Sequence, residues 1–218
     1  MTDTLNAPGW YGKLASLGDF AHRRLPPAWV ASCDDWLGDA MRIAQERLGQ
    51  RWLDVYLTAP VLRFAWAPGV VDAQWWFGLL MPSCDSVGRY FPLLIAQARS
   101  RAPEDRVALD HLELWLDHLA RAAVRTLDND ANALDALEGA LADAPPWPTG
   151  SGPHPGRGAP LSHWLHAMAA QALLAQVAGH SLWWRTGMEG GDDRLDILPG
   201  LPPGPAFAAL LQGSDPLT

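Results

Sequence analysis

The chain has 218 residues, 49% of them hydrophobic and 18% charged, a globular balance that is rather poor in charge. Such a length suits one large domain or two small ones and can bury a substantial core. The formal net charge of −8 argues against a sequence-independent grip on nucleic acid or anionic lipid, which needs a basic excess.

Residues 9–20, GWYGKLASLGDF, predict a short strand from Trp10 to Lys13, then a Gly/Ser turn closing at Gly18 and Asp19. LPPAWV follows, with proline just inside a helix start. From there Trp29, Cys33, Trp36, Leu37, Ala40, Met41, Ala44 and Leu48 recur every three to four residues, an amphipathic helix stopped at Gly49. Three apolar runs come next, at 61–67, 75–82 and 90–98, joined by connections too short for a parallel crossover. They predict an antiparallel meander, and their apolarity predicts strands covered on both faces.

A helix over 104–128 buries Leu112, Trp115, Leu116, Leu119, Ala123 and Leu127 on one face, and a second, shorter helix lies near 130–142. Residues 144–160, APPWPTGSGPHPGRGAP, read as a long Pro/Gly-rich surface loop or linker. A helix over 161–179, with Ser162 a candidate cap, strands at 181–187 and 194–200, and a closing helix at 204–212 complete the order. A sheet with helices on one or both faces is the economical arrangement. The 12 tryptophans sit mostly in these periodic segments and are expected in the core.

Targeting and cofactor signals are absent. The opening MTDTLNAPGWYGK has no charged region leading into an apolar run, and the longest nearly apolar stretches, about ten residues, are roughly half a membrane-spanning helix. Cys33 and Cys84 form no CxxC pair. A cytoplasmic protein without membrane insertion is the expectation. His111 with His118, and His163 with His166, could each offer two ligands from one helix, but no third ligand is near and no metal is expected. The glycines of 149–158 lack the G-K-[ST] of a phosphate loop, so no nucleotide or other cofactor is expected.

The stretch MPSCDSVGRYFPLLIA, 81–96, gathers Ser83, Cys84, Asp85 and Arg89. As an enzyme it needs a base oriented by a third group, and no nucleophile signature surrounds Ser83 or Cys84. The competing reading is a turn in which Ser83 and Asp85 bond backbone N–H groups and Gly88 supplies a permissive backbone. Lys13, Ser16, Asp19, Arg23 and Arg24 form a second polar cluster after another aromatic segment. If the two strand ends are neighbours, Asp19 with Arg89, and Asp85 with Arg23 or Arg24, form complementary pairs.

Four blocks carry a resemblance. GWYGKLASLGDFAHRRLP (9–26), YLTAPVLRFAWAPG (56–69), GLLMPSCDSVGRYFPL (78–93), and SLWWRTG with LPGLPPGPAFAALL (181–187, 198–211) together resemble the TagF family of type VI secretion-associated proteins. The resemblance falls on Trp10, Gly12, Lys13, Ser16, Gly18, Asp19, Phe20, Arg23, Arg24, Pro82, Ser83, Asp85, Gly88, Arg89, Pro92, Trp183 and Trp184, with departures at Ala15, where proline is usual, and at Cys84. It implies a single domain over 1–218, layered helix–sheet–helix as an α/β sandwich around a largely antiparallel sheet, with no established catalytic centre. It further implies a bacterial cytoplasmic accessory factor, a post-translational negative regulator that binds a forkhead-associated scaffold or baseplate component. The alternatives are a structural subunit of the secretion apparatus or a hydrolase using Ser83. Some family members carry a fused phosphatase module; none is expected in these 218 residues. Trp10, Lys13, Ser16, Asp19, Arg23, Arg24, Ser83, Asp85, Arg89, Trp183 and Trp184 are the candidate binding residues.

Overall fold

The computed structural model describes residues 7–128, 132–148, 172, 174–185 and 195–213. Within them, β1 (Gly9–Gly12), β2 (Ala21–Arg23), β3 (Leu62–Trp66), β4 (Trp75–Met81), β5 (Leu93–Arg99), β6 (His180–Trp184) and β7 (Leu195–Pro199) form one sheet in the order β2-β1-β5-β4-β3-β6-β7. Every pairing is antiparallel. The expected meander, β3-β4-β5, is its centre. An N-terminal hairpin, β1-β2, extends it beside β5, and the β6-β7 hairpin extends it beside β3.

Alternation along the central strands explains why they read as continuous apolar runs. Leu62, Phe64 and Trp66 of β3, Trp76 and Leu80 of β4, and Leu94 and Ala96 of β5 join one apolar cluster. It includes α1 (Pro27–Leu48), α2 (Trp52–Thr58) and α5 (Gly204–Gln212). Ala65, Phe77, Leu79, Leu93 and Ile95 join a second, with α3 (Arg106–Arg125) and α4 (Ala133–Ala142). The period of two sends successive side chains to opposite faces, and both faces are dry.

Trp29, Trp66, Trp76, Trp183 and Phe64 pack in the first cluster, where the Phe64 and Trp66 rings stack at 4.2 Å. Gly78 makes room for this packing. A Cβ there would stand 2.0 Å from the Ile95 carbonyl oxygen and 2.8 Å from Phe64 Cζ, so β4 and β5 could not keep their spacing around any side chain.

The structure corrects several boundaries. Lys13 lies just past β1, at the start of the segment leading to β2, and Tyr90 to Pro92 lie before β5, in the connection from β4. β2 and α2 are elements the periodicity did not predict; both are short, three and seven residues. α3 begins after Asp105, whose carboxylate accepts the Ala108 N–H at 2.8 Å, and Leu127 is exposed beyond the helix's end. The stretch read as a surface loop starts inside the molecule. Trp147 is fully buried, donates to Gln97 Oε1 at 3.0 Å and lies under the Arg99 guanidinium at 4.3 Å. Residues 149–160, Ser162 and the histidines at 154, 163 and 166 lie outside the described residues. Among the described residues no helix is long and apolar enough to cross a membrane.

Candidate functional site

The β4–β5 connection, residues 82–92, folds over the end of β1. Asp85 organises it from a nearly sealed position, 2% exposed. Its Oδ1 accepts the N–H groups of Val87 (3.1 Å) and Arg89 (2.8 Å), which closes the turn. Oδ2 accepts from Lys13 Nζ at 2.9 Å and from Arg89 Nε at 2.6 Å. Burial pushes this carboxyl's pKa up, but the bonds from Lys13, Arg89 and Val87 outweigh it and hold the group far below the usual carboxylate range. Gly88, at φ 84°, supplies the left-handed backbone that the turn requires.

Lys13 reaches Asp85 through the interior, with its ammonium 4.8 Å from the centre of the Phe20 ring. Ser83 Oγ donates to the Lys13 carbonyl at 2.8 Å. Tyr56, from α2, donates to the Ser83 carbonyl at 2.9 Å and accepts the Ser83 N–H at 3.0 Å. Burial is the main reason its phenol pKa is raised. Arg89 Nη2 donates to the Gly18 carbonyl at 2.6 Å, and the Ser86 N–H to Leu17 O at 2.9 Å, so two sequence blocks about seventy residues apart are sewn together. Phe20, Phe91 and Tyr11 stack and tilt against one another beside this knot. Phe20 (45%), Val87 (70%) and Tyr90 (39%) stay exposed around it, as does the outer part of Arg89.

Removing the Tyr56 hydroxyl leaves a buried donor and a buried acceptor of Ser83 without this partner. Tyr56→Phe is therefore expected to cost about 2 kcal/mol in urea unfolding. A loss within a few tenths of zero means that water replaces both bonds.

The two polar clusters do meet, but through other partners than expected. Asp19 is exposed and accepts the Phe20 N–H, and it does not pair with Arg89. Asp85 pairs with Lys13 and Arg89, while Arg23 and Arg24 reach Glu138 of α4. Trp10 is buried and gives its indole N–H to the same Glu138. Ser16 is half-buried, and its hydroxyl makes no hydrogen bond among the described residues.

Trp183 and Trp184 stand on β6, well across the sheet from β1, and are not part of this corner. Trp183 is fully buried and donates to Ser181 Oγ; Trp184 is half-buried and packs with the α3–α4 cluster. Tyr56 and Glu138 were missed in the sequence. Tyr56 lies where no element was predicted, and Glu138 reads as ordinary helix-surface charge; only their distant partners distinguish them. Of the histidines, His118 sets Nε2 2.7 Å from the Ala140 carbonyl, tying α3 to α4.

The fold and the corner together define an α/β protein: a seven-stranded antiparallel sheet with helices, in which most polar motif residues bond one another and the backbone. The chain belongs to the TagF family. The family model for the TagF N-terminal domain, type VI secretion system-associated, matches residues 9–144. The chain is also similar to PA0076 from Pseudomonas aeruginosa PAO1, known from a crystal structure. The two are 36% identical, with 95% of this chain and 94% of that chain covered at a TM-score of 0.77. Comparison with curated proteins gave no match.

Proposed function

We propose that this chain is a cytoplasmic accessory protein of bacterial type VI secretion, a non-enzymatic, post-translational negative regulator. It acts by binding a forkhead-associated scaffold or a baseplate component. Family membership over residues 9–144 is the observation that carries the reading. The two apolar clusters support a single helix–sheet–helix domain. The corner supports recognition over catalysis, because the Ser83 hydroxyl already donates its hydrogen bond to the Lys13 carbonyl and the Asp85 carboxylate is filled by four donors. What remains available to a partner is the rim of Phe20, Val87, Arg89 and Tyr90 over a stiff base. A regulator shifts its target only by binding one of the target's states better than another, and a stiff surface discriminates such states well.

The test is capture of type VI components from lysate of the source bacterium by the tagged chain, wild type against Val87→Glu and Phe20→Glu. Val87 is 70% exposed, so its variant is expected to keep the wild-type Tm, whereas Phe20→Glu also gives up ring contacts with Phe91 and Lys13 and is expected to lower Tm while staying folded. Both are expected to lose at least about tenfold in captured partner. Capture unchanged in both folded variants removes the rim as the binding face. Failure of the wild-type chain to capture any type VI component removes the regulatory reading itself.

A further inference from the structure

Three donors of the first sequence block converge on one carboxylate. Glu138 Oε1 accepts from Trp10 Nε1 at 2.5 Å and from Arg24 Nη2 at 3.2 Å, and Oε2 accepts from Arg24 Nη1 at 2.5 Å. Arg23 Nε stands 3.9 Å from Oε1. Arg24 is held for this task twice over. Its Nε donates to the Pro8 carbonyl at 2.9 Å, and its backbone sits at φ 60°, the one non-glycine positive φ among the described residues. A residue keeps such a conformation only when its surroundings impose it, and such residues gather at binding and switching sites. An indole N–H beside a guanidinium fork is a donor set shaped for a carboxylate. Burial raises the pKa of Glu138, but Arg24, Trp10 and Arg23 more than reverse that and stabilise the charged form.

The carboxylate comes from elsewhere in the chain, on α4, 114 residues from Arg24. The Arg23 and Arg24 side chains remain 53% and 32% exposed, with His22 also exposed beside them on β2, the edge strand of the sheet. In a chain of net charge −8, this is a solvent-accessible basic edge that one internal acid partly covers.

We propose that Trp10, Arg23 and Arg24 form an anion clasp that Glu138 occupies from within, and that a carboxylate of an acidic protein segment competes with Glu138 for it. The inference rests on the reading of the chain as a binding regulator and names the chemistry of its partner. Glu138 is the template for that partner, since its own bonds are the ones an incoming Asp or Glu would make. Displacing it also cuts the polar tie between α4 and the N-terminal hairpin, so partner binding and the docking of α4 oppose one another.

The test titrates a fluorescent hexaglutamate peptide, read by anisotropy at low ionic strength, into the wild-type chain and Glu138→Gln. Removing the internal competitor is expected to tighten binding about tenfold, the factor gained when a site about nine-tenths occupied is freed. The gain is expected to vanish in the double variant Arg24→Gln with Glu138→Gln. Asp39→Asn, on the exposed face of α1, changes net charge equally and is expected to show no gain. Equal affinity in folded wild type and Glu138→Gln overturns the proposal, as does a gain that survives loss of Arg24 or appears in Asp39→Asn. Should Glu138→Gln not fold, Glu138→Asp, whose shorter side chain withdraws the carboxylate, takes its place, with a gain again supporting the clasp and equal affinity overturning it. Equal capture of a type VI component by wild type and Glu138→Gln overturns the clasp and leaves the regulatory reading standing. The expected peptide result without any such capture does the reverse.

Discussion

Lys13→Met is expected to lower stability by about 3 kcal/mol at neutral pH, the low end for removing one partner of a buried ion pair. The low end applies because Arg89 still bonds Asp85 when Lys13 is gone. Methionine keeps the apolar contacts of the lysine stem, so the loss reports the ammonium's bond to Asp85 and its place beside the Phe20 ring.

The pH dependence separates this cause from a packing defect. The Asp85 pKa is lowered on folding from an ordinary value of 3.8. A depressed carboxylate pKa contributes stability that is fully present above the unfolded value and is lost as pH falls through the folded one. In Lys13→Met the depression is smaller. The gap between wild type and variant is therefore expected to be full at neutral pH and to narrow as pH drops below 3.8. Urea unfolding of both chains across that range gives the answer. A gap that stays constant into acid would assign the loss to packing rather than to the ion pair.

Trp66→Ala is expected to be more damaging still, about 4 kcal/mol. Trp66 is fully buried at the centre of the first apolar cluster, against Phe64, Trp29, Trp36 and Trp183 at ring distances from 4.2 to 6.0 Å. These neighbours come from β3, α1 and β6, so the void opens between sheet and helix and closes poorly when one of them shifts. The indole N–H makes no hydrogen bond among the described residues, so the ring's packing carries the contribution and its polar atom detracts from it. Trp66→Phe is accordingly expected to cost only about 1 kcal/mol, because the smaller void is offset by loss of the unpaired donor. Equal losses for alanine and phenylalanine in thermal or urea unfolding would show that Trp66 acts through a hydrogen bond after all.

Both predictions draw on features that were legible to different degrees. The apolar alternation of β3, β4 and β5 is local, so LRFAW and WWFGLLM announced doubly covered strands, and the short connections announced an antiparallel meander. α1 and α3 were equally plain, since Trp29, Cys33 and Leu37, or Leu112, Trp115 and Leu119, repeat at helical spacing over about five turns or more. β2 and α2 were not. Three residues do not establish a period, and α2 is a single short amphipathic stretch whose Trp52 and Tyr56 face the core only because the sheet is there.

The motif residues follow the same division. From AHRR and SCDSVGR alone, cations and carboxylates could be counted and the turn around Asp85 and Gly88 anticipated, because Asx turns and left-handed glycines are local devices. Which cation meets which carboxylate was a tertiary decision. Antiparallel pairing of β1 with β5 sets Gly12 opposite Leu93 and so brings Lys13, one residue on, to Asp85. The hairpin turns Arg23 and Arg24 away toward α4 and leaves Asp19 in solvent. The longer strands and helices and the faces they bury are written in the periodicity of neighbouring residues, and for these the sequence by itself was enough. Ion-pair partners, the lone positive φ at Arg24 and the exposed rim depend on strand order, which brings distant residues to within a few ångströms, and only the folded sheet decided them.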